Sequence, residues 1–236
     1  MPPPPALPPA ANKAMLKAVV FDMDGTLGDT LPLCVESFAR CVEEHTGRRP
    51  SEAEVTAHFS VSDRGILGGL LGMPPEAPEL PVQRFVEIYD TLHPQYAPAP
   101  FPGAVELLEQ LKASGLRLAL LTGKEAYTAR PTLRHFGMEG IFEAELFGEP
   151  THNCKHERLT ELMQRWQLRP DELIYIGDAP SDIDHSHRVG VRIICAAWSP
   201  NTETDLTDCL DTTPDYRLTD IAQLAPLLAT LRGFSS

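Results

Sequence analysis

The chain lacks a surplus of basic residues and lacks any long apolar run. Its 236 residues include 20 Lys and Arg against 33 Asp and Glu, which gives a formal net charge of −13. This charge argues against binding to nucleic acids or anionic membranes, because both carry negative charge themselves. The N-terminal residues also lack the charged and apolar regions of a secretion signal. We therefore expect a protein with neither a nucleic acid partner nor a membrane partner.

Cysteine is scarce and shows no pairing pattern. The five cysteines are scattered and odd in number, and none forms a closely spaced metal-binding pair: Cys34, Cys41, Cys154, Cys195 and Cys209. This usage is typical of proteins in a reducing cytosol, where thiols stay reduced. The sequence thus favours a cytoplasmic location.

Two carboxylates follow the first apolar run of the chain. The run 18–21 predicts a buried β-strand, and Asp22 and Asp24 come directly after it. Ligands of open α/β sheets bind at the carboxyl ends of strands, so both acids are expected in a site. Asp22 can act as nucleophile and metal ligand, Asp24 can transfer a proton, and Gly25 can bring its amide close to an anion. The pair alone also fits a solvated loop or a simple metal site.

Further polar groups follow later apolar runs. They are a hydroxyl and a free amide at Thr122 and Gly123, a cation at Lys155, and carboxylates at Asp178 and Asp182. Hydroxyl, amide and cation are groups suited to phosphate oxygens. The chain therefore presents a nucleophile, a hydroxyl, a cation and a carboxylate in that order, each at a predicted strand end or in a loop.

This order resembles the haloacid dehalogenase superfamily of phosphoryl-transfer enzymes, from about Leu16 to the last residue. The four family motifs match Asp22 with Asp24, Thr122, Lys155, and Asp178 with Asp182. Within the superfamily, the chain looks most like phosphatases of small metabolites, including phosphoglycolate phosphatase. The resemblance implies hydrolysis through an aspartyl phosphate on Asp22. It also implies Mg²⁺ held by Asp22, Asp24 and Asp178, with Asp182 orienting a metal-bound water or Lys155.

Several departures and alternatives stay open. His156 stands after Lys155 where the family commonly has proline, and Lys124 is a competing cation. Relatives that form a Schiff base use a cap lysine, but this chain has no lysine between Lys17 and Lys112. Dehalogenases of this fold typically lack an acid at the position of Asp24. A phosphomutase of the same fold and a non-catalytic regulatory homologue are the remaining alternatives.

The expected fold is an α/β core with an inserted segment. Residues 15–29 and 100–236 predict a Rossmann-like parallel sheet with helices on both faces, because helices and strands alternate after Gly103. Residues 30–99 predict a small helical cap, including one helical stretch over 52–71. Pro131 indicates either a helix start or a kink. Residues 1–14 are rich in Pro and Ala and predict a disordered extension.

Arginines are the permanent positive charges of the predicted cap. We expect Arg64, or else Arg48 or Arg49, to contact a second anion of a small phosphorylated metabolite. The competing interpretation is that these arginines are solvated surface charges. The assembly state is expected to be a monomer or a homodimer.

Overall fold

A parallel six-stranded sheet forms the centre of the molecule. The structure is a computed structural model that describes residues 15–59, 61–77, 79–200 and 213–233. The strands are β1 Ala18–Phe21, β2 Arg117–Leu121, β3 Ala144–Leu146, β4 Leu173–Gly177, β5 Arg192–Ala196 and β6 Tyr216–Leu218. They lie in the order β3-β2-β1-β4-β5-β6, and each neighbouring pair is parallel. The strand β1 is therefore central, between β2 and β4.

Helices connect the strands and cover the sheet. They are α1 Leu31–Thr46, α2 Glu52–Thr56, α3 Asp63–Leu71, α4 Val82–Tyr96, α5 Ala104–Ala113, α6 Ala126–His135, α7 Lys155–Trp166, α8 Pro180–Arg188 and α9 Leu224–Leu231. Short 3-10 turns cover Pro170–Glu172 and Ile221–Gln223. Among the described residues, none of these helices combines the length and the apolar character needed to cross a membrane.

Successive residues of the central strands belong to two separate cores. On β1, Val19 and Phe21 join one buried cluster, whereas Ala18 and Val20 join the other. Side chains of a strand alternate between the faces of the sheet, so a strand that is buried throughout needs packing on both sides. The predicted α/β fold with helices on both faces is confirmed.

The helices α1 to α4 lie in the chain between β1 and α5, within the range predicted for the cap. Phe38 of α1 and Phe85 of α4 stack within this segment, with ring centroids 4.3 Å apart, and belong to the same buried cluster as Phe21 of β1. A buried hydrogen bond of 2.8 Å joins the Tyr89 hydroxyl of α4 to the Thr132 hydroxyl of α6. The segment therefore has its own packing and a polar contact with the sheet-covering helix α6. The exact domain boundary stays a prediction.

The N-termini of α3 and α6 cap one another. The carboxylate of Asp63 accepts hydrogen bonds from the Glu125 backbone amide, at 2.9 Å, and from the Thr128 hydroxyl. In return, the Glu125 carboxylate accepts from the Ser62 hydroxyl at 2.6 Å and from the Arg64 amide at 3.1 Å. Free amides at a helix start need acceptors, and here each helix supplies them to the other.

Two sequence expectations about the helices are wrong, and a third concerns residues that the structure does not describe. The stretch 52–71 is two helices rather than one, because Ser62 starts a new helix whose amides are satisfied by Glu125 and not by α2. The helix α6 begins at Ala126 and includes Pro131 in its interior, so a helix start at Pro131 is wrong. Buried neighbours such as Leu133 hold that helix despite the hydrogen bond that proline cannot donate. Residues 1–14 and Cys209 lie outside the described residues.

Candidate active site

Polar residues from three neighbouring strands meet at one edge of the sheet. Asp22 follows β1, Thr122 follows β2, and Asp178 follows β4. All three line one cavity of about 270 Å³, together with Asp24, Gly25, Gly123, Lys124 and Lys155. The parallel order β2-β1-β4 explains this convergence, because the carboxyl ends of parallel strands lie at the same edge. The structure thus brings together most of the residues that the sequence singled out.

Lys155 is a buried cation between two carboxylates. It opens α7, and its Nζ lies 2.6 Å from Oδ2 of Asp22 and 2.5 Å from Oδ1 of Asp182. The other oxygen of Asp182 accepts from the Ala179 backbone amide at 3.1 Å. Asp182 is fully buried, so it fixes the position of the ammonium group beside Asp22. His156 does not disturb this arrangement and instead faces His185, with 2.9 Å between their Nδ1 atoms.

Lys124 lies on the opposite side of the site and pairs with Asp24. Its Nζ is 3.4 Å from Oδ1 of Asp24 and 3.0 Å from Sγ of Cys34. Burial disfavours its charge, but Asp24, Cys34, Tyr89 and Asp63 together outweigh burial and raise the pKa of Lys124. The Thr30 hydroxyl donates to the same oxygen of Asp24. The sequence treated the two lysines as alternatives, whereas the structure places both in the site with different acids.

Gly25 allows the backbone to pass directly against Asp178. Its φ is +70°, and a Cβ at this position would lie 2.1 Å from Oδ2 of Asp178. The neighbouring Thr26 hydroxyl donates to the other oxygen of Asp178 at 3.3 Å. The carboxylate is therefore held between a glycine backbone and a hydroxyl, which orients it in the cavity.

Replacing Gly25 with alanine is expected to weaken Mg²⁺ binding by at least about tenfold, because the new methyl group displaces the Asp178 carboxylate. The concentration of Mg²⁺ for half-maximal thermal stabilisation measures this effect. Gly115→Ala is the matched control, since Gly115 has φ +84° but no atom within 4 Å of its added Cβ. Equal Mg²⁺ affinity in both variants would contradict the expectation.

The acidic cluster fits a hard divalent cation. Asp22, Asp178 and Asp182 each offer an oxygen, and these atoms lie within 4.8 Å of one another. Burial, with Asp182 and Asp24 nearby and despite Lys155, raises the pKa of Asp22 from 3.8 to about 7. Burial also raises the pKa of Asp178. Oxygen ligands with excess negative charge suit Mg²⁺. Asp182 is already engaged by Lys155 and an amide, so it is better suited to orienting other groups than to direct ligation.

The raised pKa of Asp22 predicts how stability depends on pH. Between about pH 4 and 7 the folded protein retains a proton on Asp22 that the unfolded chain releases, so the contribution of Asp22 to metal-free stability falls as pH rises through this range. Mg²⁺ held by these carboxylates would require their deprotonated forms, so we expect Mg²⁺ to raise the melting temperature more at pH 8 than at pH 5. Thermal melts with and without Mg²⁺ at both pH values measure the difference. An equal Mg²⁺ effect at the two values would contradict it.

The predicted cap arginines lie apart from the cavity. The guanidinium of Arg48 pairs with Glu54 at 2.9 Å, and Arg49 pairs with Glu43 at 3.0 Å. Arg64 donates from its side chain to the Pro75 carbonyl oxygen at 3.2 Å. The structure therefore does not bring Arg48, Arg49 or Arg64 into the cavity lining, and local acceptors engage all three.

Apolar side chains of the inserted segment form a wall that sequence reasoning missed. The residues are Leu31, Phe38, Phe59, Val61 and Ile66. Phe38 is part of the apolar stripe of α1, and such a stripe is equally expected to face a helical core. The nearest sequence signal is Phe59, a large aromatic residue within a polar stretch. Only the packing of several segments shows that these side chains face Asp22.

Comparisons with known proteins agree with this geometry. Residues 19–196 match the model of haloacid dehalogenase-like hydrolases. A phosphoglycolate phosphatase of Synechococcus elongatus is 27% identical over 213 residues, which cover 89% of this chain and 99% of the relative. The tyrosine-protein kinase PtkA of Mycobacterium tuberculosis is 30% identical over 183 residues, 76% of this chain and 62% of the kinase.

A solved structure shows the same fold. It is the crystal structure of a predicted phosphoglycolate phosphatase from Haemophilus somnus, with a TM-score of 0.72 and 22% identity. The alignment covers 92% of this chain and 99% of that one. The predicted family and the predicted hydrolase class are confirmed, since the family model spans most of the sheet and its site: the chain belongs to the haloacid dehalogenase-like hydrolase family.

Proposed function

We propose that this protein is a Mg²⁺-dependent phosphatase that hydrolyses a small phosphorylated metabolite through an aspartyl phosphate on Asp22. One observation carries the proposal. The Asp22 carboxylate lies at the end of the central strand, 2.6 Å from the buried ammonium of Lys155, and shares a cavity with Thr122 and Asp178. This arrangement combines a nucleophile, a fixed cation, a hydroxyl and a metal-binding carboxylate.

Each residue of the cavity has a distinct proposed role in phosphoryl transfer. One oxygen of Asp22 attacks phosphorus, and Lys155 offsets the charge of the transferring group. Thr122 and the amides near Gly25 and Gly123 hold the phosphate oxygens in line for attack. Asp22, Asp178 and the backbone carbonyl of Asp24 would hold Mg²⁺, with Asp182 orienting the surrounding groups. When bound, Mg²⁺ supplies positive charge that screens the repulsion between carboxylate and phosphate.

Asp24 is the proposed proton donor and, later, the base that activates water. Its carboxylate is partly exposed to the cavity, and Thr30 and Lys124 fix its orientation. In the first step it donates a proton to the leaving alcohol. In the second step the resulting carboxylate takes a proton from the water that breaks the aspartyl phosphate.

Asp24→Asn is expected to slow the hydrolysis of alkyl phosphates far more than the enzyme's phosphorylation by p-nitrophenyl phosphate, because only a poor leaving group needs protonation. We expect about a 10²-fold to 10⁴-fold loss of kcat on alkyl phosphates and a smaller loss in the phosphorylation step with the activated ester. Single-turnover phosphorylation of the enzyme separates that step from the later hydrolysis. Equal losses with both substrate types would contradict an acid role for Asp24.

A direct assay tests the proposal as a whole. We expect the purified protein to release free phosphate from phosphate monoesters in the presence of Mg²⁺, with no nucleotide added. The panel of esters includes phosphoglycolate because a relative is named for it. Transfer to a second sugar hydroxyl would favour the phosphomutase alternative, and transfer from ATP to tyrosine would favour the kinase named among the relatives. No turnover of any kind would favour a regulatory homologue. Cytoplasmic location and a monomeric or homodimeric state stay predictions.

A further inference from the structure

The cavity has two chemically different sides. One side carries the phosphoryl-transfer residues that follow β1, β2 and β4. The other side is the apolar wall, defined here as Leu31, Phe38, Phe59, Val61 and Ile66. A phosphate ester bound with its phosphorus at Asp22 would therefore direct its alcohol portion towards this wall.

Phe59 gives the apolar wall an exposed edge. Its exposed fraction is 38%, and Met15 is the other large apolar residue that is exposed among the described residues. The Phe59 ring lies 6.4 Å from the buried Phe38 ring, so the exposed face continues into the core of the inserted segment. A single exposed phenylalanine is ordinary on a protein surface. One that lines a catalytic cavity offers area that an apolar ligand can cover.

The positive charges lining the cavity are already matched by acids. Lys155 is bound by Asp22 and Asp182, and Lys124 pairs with Asp24. The imidazole of His152 contacts Glu157 at 3.1 Å. Within the described lining, a second anion of the substrate would meet no uncommitted cation.

Two further acids belong to the cavity lining, and the buried one, Asp63, disfavours a second anion, whereas Arg158 offsets the charge of the other, Glu149. Asp63 and Glu149 line the cavity in addition to the catalytic carboxylates. Asp63 is buried and is held by the Glu125 amide, whereas Glu149 pairs with Arg158. A carboxylate or second phosphate placed here would lose its hydration and approach like charges.

We infer that the preferred substrate is a phosphate monoester of an uncharged, largely apolar alcohol, whose body contacts Phe59 and the half-buried Leu31 and Val61 of the apolar wall. The inference rests on the proposed phosphatase function and names its substrate class. It also distinguishes this chain from enzymes that select a second anion, such as the carboxylate of phosphoglycolate. The apolar wall, rather than an arginine, discriminates between substrates.

Matched phosphate esters test the inference in the wild-type protein. Benzyl phosphate, 4-carboxybenzyl phosphate, ethyl phosphate and phosphoglycolate are compared at saturating Mg²⁺. All four release poor leaving groups, so differences in kcat/KM report mainly on contacts with the alcohol portion. We expect kcat/KM for benzyl phosphate to exceed kcat/KM for each of the other three esters by at least about tenfold. Equal or better hydrolysis of 4-carboxybenzyl phosphate or phosphoglycolate would overturn the inference.

Variants of Phe59 locate the contact. Phe59→Ala is expected to lower kcat/KM for benzyl phosphate about fivefold to tenfold, mainly by raising KM. For ethyl phosphate, kcat/KM should change less than about twofold. Phe59→Leu should retain most of the preference because it keeps an apolar surface. Met15→Ala is the control, because Met15 is exposed and apolar but does not line the cavity. It should leave kcat/KM for both substrates unchanged. A parallel loss on benzyl and ethyl phosphate in Phe59→Ala would contradict substrate contact.

Binding without turnover provides an independent measurement. Benzylphosphonate and phosphonoacetate are stable analogues that differ in the group facing the apolar wall. Benzylphosphonate should compete at least about tenfold more tightly, and Phe59→Ala should remove most of that advantage. Failure of the proposed function looks different: no ester, including p-nitrophenyl phosphate, would be hydrolysed with Mg²⁺. Turnover with a preference for anionic esters would refute the substrate class alone.

Discussion

Asp22→Asn is expected to lower kcat for p-nitrophenyl phosphate by on the order of 10³-fold or more, with the fold intact. The amide removes the nucleophilic oxygen at nearly constant volume. It also removes a charge whose burial raises the pKa of Asp22 to about 7, so the folded state loses a group that is costly to ionise. We expect the metal-free variant to be at least as stable as the wild type at pH 8. Steady-state kinetics and thermal melts at that pH measure both effects.

Asp171→Asn provides the matched control for this change. Asp171 is an exposed aspartate paired with Arg169 at 3.1 Å, away from the cavity. The same substitution there should leave kcat within twofold of wild type. Retention of a tenth of wild-type kcat by Asp22→Asn would rule out Asp22 as the nucleophile. Mass spectrometry of the acid-quenched wild type should show an added phosphoryl group that the variant lacks.

Chelation of divalent cations is expected to abolish turnover, and Mg²⁺ should restore it fully. Ca²⁺ should bind the same carboxylates without restoring activity, because it is larger and less strictly octahedral, and positions carboxylate and phosphate poorly. The measurement is phosphate release from p-nitrophenyl phosphate in metal-depleted buffer, titrated with each ion. Full activity after exhaustive chelation would disprove the metal-assisted scheme.

Asp178→Asn separates metal binding from chemistry. The variant should lose most of the Mg²⁺-dependent rise in melting temperature, since the carboxylate held between Gly25 and Thr26 no longer carries charge. Asp171→Asn should keep that rise. Undiminished stabilisation of Asp178→Asn by Mg²⁺ would mean that the ion binds elsewhere.

The sequence predicted the residues at the strand ends well because the physical rule there is local. An apolar run followed by a polar residue marks the carboxyl end of a buried strand, and parallel order then brings Asp22, Thr122 and Asp178 together. The strand β6 lies at the sheet edge and pairs there with β5. These features need only the pattern of one segment and the handedness of its connections.

The remainder of the site depends on which distant segments pack together. The sequence favoured Lys155 over Lys124 as the cation of the site, whereas the structure places both lysines there, Lys155 beside Asp22 and Lys124 beside Asp24. The apolar wall was equally hidden, because Phe38 and Ile66 have the spacing of ordinary core residues. The cap arginines were predicted from their charge alone. Sequence could not show that Arg48 and Arg49 instead form ion pairs with Glu54 and Glu43.

The reciprocal caps of α3 and α6 limit how this protein can be shortened. A truncated variant with a short linker in place of the inserted helices would lack Asp63, which leaves the Glu125 amide at the start of α6 without its acceptor. Loss of a helix cap typically costs about 1 kcal/mol, and here the Thr128 hydroxyl would lose one of its two acceptors as well. Because α6 closely follows Gly123 and Lys124, the disruption would affect the loop that carries these two cavity residues. The minimal stable unit of this enzyme therefore includes α3, although that helix adds no strand to the sheet.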